Sequence, residues 1–264
     1  MRKLIFLGQR QIAWKAMEIL ARRENREAFE LAVLVTDVDT RVRAERELGF
    51  APRFLANDRR RTEQIVSAIR EEEVSLLISI QHNWIISPDI LEAVNGDAYN
   101  LHNARLPHYQ GYNSISHAIL NGDGAYYSTI HWMEEKVDSG AIAFEAVTAI
   151  GDGDTALSLH RKTIHAAINA FEQLMATLRS GRPIPRRPLS ADVEPKFYGR
   201  NSLKEILDVT AIRDPDQLSL YARALFYPPH NMAFQLTAKG KTYLVPQSGL
   251  LDLRQVVFSV EEIQ

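Results

Sequence analysis

Short apolar runs alternate with longer amphipathic stretches through the N-terminal half of the chain. Leu4 to Leu7 is an apolar run closed by Gly8, the form of a strand buried on both faces of a parallel sheet. Residues 10–23 place Ile12, Ala13, Ala16, Met17, Ile19 and Leu20 at helical spacing. Leu31 to Val35 is a second buried strand, ended by a turn at Asp37 and Asp39. Residues 60–72 form an amphipathic helix with Ile65, Ala68 and Ile69 inward, and Leu76 to Ile80 is a third strand. This order predicts an α/β fold with a doubly wound, mostly parallel sheet and right-handed crossovers. Ala98 to Leu101 adds a strand that runs straight into His102. A helix over 113–121, strands over 126–133 and 140–147, and a long helix over 154–179 follow. Asp154 is placed to cap that helix, and Leu157, Ile164, Ala167, Ile168, Phe171, Leu174 and Met175 form its inner stripe.

The pattern breaks at Ser180 to Pro188, where prolines at 183, 185 and 188 and Gly181 make a stiff linker. The expected division is a catalytic domain over 1–185 and a C-terminal extension over 186–264. In that extension residues 214–226 read as a helix. Residues 232–237 and 241–246 read as a hairpin around Ala238-Lys239-Gly240.

Composition narrows the chemistry. The 264 residues suit one α/β core with a smaller appendage, and 45% hydrophobic content is enough for a sizeable core. With 31 basic against 33 acidic residues, the chain lacks the basic excess of a nucleic-acid binder. No cysteine is present, so disulfides, a thiol nucleophile and a Cys-ligated metal site are excluded. The apolar run after Met1-Arg2-Lys3 is too short for a signal peptide, and none approaches the roughly 18 residues of a membrane span. A cytoplasmic protein is expected. Gly8-Gln9-Arg10-Gln11 lacks the further glycines of a dinucleotide fingerprint.

Polar side chains gather where the strands end. Ligands of doubly wound sheets sit at the carboxyl ends of the strands, where Gln81-His82-Asn83-Trp84 and Asn100-Leu101-His102-Asn103 both fall. Asn100 and His102 are two apart on a strand and share a face, which sets an amide beside an imidazole. His131, His160 and His165 read as structural, Arg59-Arg60-Arg61 as a solvated helix face, and Arg186-Arg187 as linker.

Between 99 and 142, Asn100-x-His102 is followed by Leu106-Pro107-His108-Tyr109-Gln110-Gly111, then Asn121-Gly122-Asp123 and Asp138-Ser139-Gly140. In this combination the chain resembles the folate-dependent formyltransferase family. The resemblance covers roughly residues 1–200, and Gln110 departs from it where relatives often carry arginine. It implies a Rossmann-like core and N10-formyltetrahydrofolate as co-substrate, with no metal required. Attack of an amine on the formyl carbon builds an oxyanion that needs a fixed donor, the role assigned to Asn100. The amine must lose a proton to a base of near-neutral pKa, the role of His102. Asp138 either orients the imidazole or relays the proton to the leaving N10. The folate pocket is expected from Gln81, His82, Trp84, Ile85, Ile86, Leu106 and Asp138, although Trp84 also suits plain core.

The same resemblance frames the acceptor. Transformylases acting on glycinamide ribonucleotide are generally shorter, and methionyl-tRNA formyltransferases longer and more basic. The chain is most similar to the sugar N-formyltransferases, which act on an amino-dideoxy sugar linked to a nucleoside diphosphate for lipopolysaccharide O-antigens. Gly111-Tyr112-Asn113 and Phe197-Tyr198-Gly199-Arg200 carry that likeness. Acceptor contacts are expected from Arg105, Tyr109, Gly111, Tyr112, Asn113, Arg223, Phe226 and Tyr227. Arg105 equally suits an exposed surface arginine, and the competing reading of Phe226 and Tyr227, stronger for Phe226, is packing of the hairpin onto the core or a dimer contact. A homodimer is expected. A formyltetrahydrofolate hydrolase would usually carry a preceding regulatory domain, whereas here the core begins at Met1. A non-catalytic folate-binding module would not need Asn100, His102 and Asp138 together.

Overall fold

The structure, a computed structural model, describes residues 1–94, 97–191, 193–203, 215–227, 233–238 and 241–246. The chain begins β1 (Arg2–Gly8), α1 (Arg10–Leu20), α2 (Arg23–Ala28), β2 (Phe29–Thr36), α3 (Val38–Leu48) and β3 (Arg53–Ala56). It continues α4 (Thr62–Glu71), β4 (Leu76–Ile80), α5 (Pro88–Ala93), β5 (Ala98–His102), β6 (Gln110–Gly111) and α6 (Ser114–Leu120). Then come β7 (Ala125–Trp132), β8 (Ile142–Ala149), α7 (Ala156–Arg179), β9 (Phe197–Tyr198), α8 (Pro215–Leu225), β10 (Ala233–Ala238) and β11 (Lys241–Pro246).

Seven strands form the main sheet in the order β3-β2-β1-β4-β5-β7-β8. β1 pairs in parallel with β2 and β4, β2 with β3, and β4 with β5, while β5 and β7 are antiparallel. The continuous apolar runs follow from burial on both faces. Leu4 and Phe6 enter one cluster with Met17 and Ile19 of α1 and Phe171 and Leu174 of α7. Ile5 and Leu7 enter the other with Ile65 and Ile69 of α4 and Ile90 of α5. Each such side chain, fully buried, contributes ~1.5–3 kcal/mol. The strand order turns back between β1 and β4, so the crevice for a ligand lies at their carboxyl ends. There Gln81 Oε1 accepts a hydrogen bond from the backbone N–H of Ile12 at 2.9 Å, tying the loop after β4 to the start of α1.

Two compact units share the described chain. The first gathers Met1–His108, Tyr127–Val147 and Ile164–Pro195; the second gathers Tyr109–Tyr126, Thr148–Thr163 and the chain from Lys196. These units follow packing rather than a single cut in the sequence. The expected hairpin pairs β10 with β11, antiparallel, from Ala233↔Pro246 to Ala238↔Lys241. Its Lys239-Gly240 turn lies outside the described residues, as do Pro228 to Asn231.

Three local readings change. The helix expected over 10–23 ends at Leu20, and α2 follows after a two-residue break. The turn expected at Asp37 and Asp39 is the start of α3: Asp37 accepts from the N–H and hydroxyl of Thr40, each at 2.8 Å, and caps it. Only Ala44 of α3 is buried, and Arg41–Glu45 and Arg43–Glu47 pairs line its outside, so no apolar stripe marks it. At α7 the cap is Thr155, not Asp154. Thr155 Oγ1 accepts from Ser158 N at 3.1 Å and Ser158 Oγ from Thr155 N at 3.0 Å, the reciprocal pair of a capping box. Asp154 braces this turn by accepting from Gly151 N and Ser158 Oγ, each at 2.8 Å.

Candidate active site

β5 sets the site because it lies between parallel β4 and antiparallel β7. Its register puts Asn100 opposite His131 and His102 opposite Thr129, so all four side chains share one face. Asp138 enters from the turn between β7 and β8 with φ 53°, a left-handed conformation that costs a non-glycine residue of order 1–3 kcal/mol. Strain of this kind persists only where surrounding contacts hold it. The Asp138 side chain is 8% exposed and faces two imidazoles: Oδ2 is 3.6 Å from His102 Nδ1 and Oδ1 is 3.4 Å from His131 Nε2. Catalytic pairs at such distances tighten when the reacting molecules bind.

His131 was read from sequence as structural, and the geometry gives it a place in this cluster. Its Nδ1 lies 2.8 Å from the Trp132 carbonyl, so that nitrogen carries the proton. Nε2 then accepts from Asn100 Nδ2 at 3.1 Å, which fixes the plane of the amide and leaves its second N–H directed elsewhere. The sequence signal was Thr129-Ile130-His131, a second alternating pair. Its relevance depends on which strand neighbours β5, and local pattern does not say that.

Gly140 completes the arrangement. A Cβ there would overlap the Trp132 carbonyl oxygen that His131 uses. Gly140→Ala is therefore expected to destabilise the fold by about 1–3 kcal/mol and to lower turnover, because moving that carbonyl releases the ring that holds Asn100. Thermal unfolding and steady-state kinetics check it; a variant with wild-type melting and turnover would break this link.

The loop after β4 carries the residues expected to meet folate. Gln81 has φ 51° and turns the chain away from the strand. Trp84 Nε1 donates to Asn57 Oδ1 at 2.7 Å, and Asn57 Nδ2 to Gln9 Oε1 at 3.2 Å, so the loop is braced against the ends of β1 and β3. His82 packs edge-on to Trp84 with centroids 4.3 Å apart. Burial pushes the His82 imidazole down to about 4, and neither ring nitrogen meets a hydrogen-bond partner among the described residues. Ile85 is exposed, whereas Ile86 belongs to the core under the sheet and Leu106 is buried. The tryptophan is thus both partly buried packing and a loop brace.

The expected acceptor residues divide between the units. Arg105, in the first, is exposed with its guanidinium 4.8 Å over the Tyr127 ring. Tyr109, Gly111, Tyr112, Asn113, Arg223, Phe226 and Tyr227 belong to the second. The Tyr109 hydroxyl donates to Asp123 and accepts from Asn121 Nδ2 at 2.9 Å, so the Tyr-x-Gly and Asn-Gly-Asp segments brace each other. Arg223 Nη1 donates to the Asp154 carbonyl at 3.1 Å, the Phe226 carbonyl accepts from Leu157 N at 3.0 Å, and the Tyr227 ring meets His160 edge-on at 5.3 Å. These contacts dock the end of α8 on the entry to α7. They favour packing over nucleotide contact for these residues.

A family model described as formyl transferase matches residues 2–175. A GDP-perosamine N-formyltransferase from Brucella melitensis biotype 1 is 30% identical over 175 residues, which are 65% of this chain and 64% of that protein. The fold is shared with a 4-N formyltransferase from Francisella tularensis, at TM-score 0.75 and 14% identity over 93% of this chain and 96% of that one. A sugar N-formyltransferase from a Shewanella species superposes with TM-score 0.74 at 18% identity, covering 93% and 97%. At such identities the structural likeness speaks for the fold.

Proposed function

Because this chain belongs to the formyl transferase family, we propose that it transfers a formyl group from N10-formyltetrahydrofolate to the amino group of a nucleotide-linked amino-dideoxy sugar. The observation that carries the reading is the convergence of Asn100, His102, His131 and Asp138 on one face at the end of β5. The aligned relative is named for GDP-perosamine, which supports a nucleotide sugar as acceptor class. Folate supplies the formyl group, activated on N10. His102 takes the proton as the acceptor nitrogen bonds to the formyl carbon. Asn100 donates to the formyl oxygen as charge builds there. The bond from carbon to N10 then breaks, and the proton returns to N10 through His102 or Asp138, so the transfer balances without a further reactant. His82 and Trp84 fit the folate: an enclosed neutral imidazole with donor and acceptor capacity beside an indole suits a flat heterocycle with polar edges.

In this reading residues 1–185 are the catalytic part and 186–264 the C-terminal extension. The finer parts are a product destined for lipopolysaccharide O-antigen, a cytoplasmic location and a homodimer. Among the described residues no helix is long and apolar enough to cross a membrane, which agrees with such a location.

The test mixes protein with formylfolate, with and without nucleotide amino sugars. Folate is expected to lose its formyl group only when an acceptor is present, with a formylated sugar as product. Acceptor-independent release would identify a hydrolase, and no release with any acceptor a binding module.

A further inference from the structure

We propose that Arg187 is a positioning residue for His102: by neutralising Glu145 it keeps the Thr129 hydroxyl on the turn that follows the histidine. This rests on His102 as the base of formyl transfer, and it adds the linker to the parts that set the rate.

The linker is clasped to β8, the strand at the edge of the main sheet. Ile142 N donates to the Arg187 carbonyl at 2.7 Å and Arg187 N to the Ile142 carbonyl at 3.0 Å, an antiparallel bridge. The Trp132 indole N–H donates to the Pro185 carbonyl at 2.9 Å. Neighbouring side chains on an extended segment point to opposite faces. Arg186 accordingly lies 3.6 Å over the Trp132 ring, in the cluster shared with α1 and α7, while Arg187 pairs with Glu145 on the face of Thr129. All of these residues belong to the first unit.

The link to the base runs through one proton. Thr129 is fully buried, and its Oγ1 donates to the Ala104 carbonyl at 2.7 Å and lies 3.5 Å from Glu145 Oε1. A hydroxyl has a single proton, so the two oxygens compete for it. Ala104 N donates to the His102 carbonyl at 2.9 Å, and Thr129 stands opposite His102 in the β5–β7 register. With Arg187 on Oε2 the carboxylate is satisfied, and the proton stays on the shorter bond to Ala104. The Glu145 side chain is only 17% exposed, so without the arginine its charge is stranded. An ionised acceptor holds a donor about twice as strongly as a neutral carbonyl does. The Thr129 proton then passes to Glu145, and the turn beyond His102 loses its tie at Ala104. Ser128 Oγ, which donates to Asn103 Oδ1 at 2.6 Å, still holds that turn, so the loss falls on the aim of the ring rather than on the fold.

Formyl transfer is measured in full-length wild type, Arg187→Ala, Arg187→Lys and the double variant Arg187→Ala/Glu145→Gln. Arg187→Ala is expected to lower kcat about tenfold, less than the ~10²-fold that a misplacement of about 1 Å can cost. Both KM values should stay within about twofold, because the aim of the base acts on the chemical step. Arg187→Lys keeps the charge and should restore kcat. The double variant has no ion pair, yet its neutral amide no longer outcompetes the Ala104 carbonyl, so kcat should recover there too. A linker that acted only as a brace would not be rescued in this way. Where alanine does not fold, Arg187→Gln takes its place. A kcat within about twofold of wild type in the folded Arg187 variant, or no recovery in the double variant, would overturn the proposal. The imidazole resonances of the unliganded proteins give a readout free of the reaction. The His102 signal should move in Arg187→Ala and return in the double variant; a signal that Arg187→Ala leaves in place sinks the coupling. A wild type that transfers no formyl group while these shifts appear would instead overturn the formyl-transfer reading and leave the coupling standing.

Discussion

Asn100→Ala is expected to lower turnover by about 10²- to 10³-fold, the loss that follows removal of one oxyanion donor. The amide is held from two sides: the backbone of β5 fixes its origin, and Nδ2 is 3.1 Å from His131 Nε2. A donor already oriented costs no reorganisation when negative charge appears, which is why its removal falls on turnover rather than on ground-state binding. Asn100→Asp sharpens the test. It keeps the size of the side chain but supplies no N–H and brings a carboxylate beside Asp138, so it should be at least as damaging as alanine. His131→Ala should give a smaller loss, because the donor survives with looser aim. Purified variants are compared by single-turnover formyl transfer and by folate affinity. Turnover within a few-fold of wild type in Asn100→Asp would remove the donor role.

The contrast between Asn100 and His131 also marks how far the sequence reaches. β1, β2 and β4 were legible because burial on both faces leaves nearly continuous apolar runs, and Asn100 and His102 of β5 were legible because two-residue spacing fixes a shared face. His131 was not, since its nearness to Asn100 depends on β7 lying antiparallel to β5, a choice made by the whole sheet. α3 was hidden for the opposite reason: its one buried residue, Ala44, leaves no stripe, and the capping pair Asp37 and Thr40 was the surviving signal. The second unit was illegible as a unit. It draws on segments 109–126, 148–163 and the chain from 196, and two-residue strands such as β6 and β9 carry no periodicity. Phe197-Tyr198-Gly199-Arg200 stood out in the sequence, but only the pairing with β6 shows which ring is anchored and which is exposed.

Asp138→Asn and His102→Ala are each expected to reduce turnover by at least ~10²-fold, the scale of a lost general acid–base function. The two changes should part in stability. Asp138 stands in the left-handed region with φ 53° and keeps its carboxylate 8% exposed, 3.6 Å from His102 and 3.4 Å from His131. Asparagine adopts that backbone conformation as readily as aspartate, and a neutral amide is easier to bury than a charge. Asp138→Asn should therefore melt no lower than wild type while losing most of its activity, the mark of a residue retained for chemistry at a cost in stability. The double variant then separates two arrangements. Where Asp138 acts through the His102 ring, removing both costs little more than removing either, as in units whose members act together. Where Asp138 passes the proton to N10 on its own, the two losses multiply toward about 10⁴-fold. Melting curves and turnover for the three variants decide it. Near-normal turnover in Asp138→Asn would remove the carboxylate from the mechanism, and a large fall in its melting temperature would make it a structural brace for the β7–β8 turn.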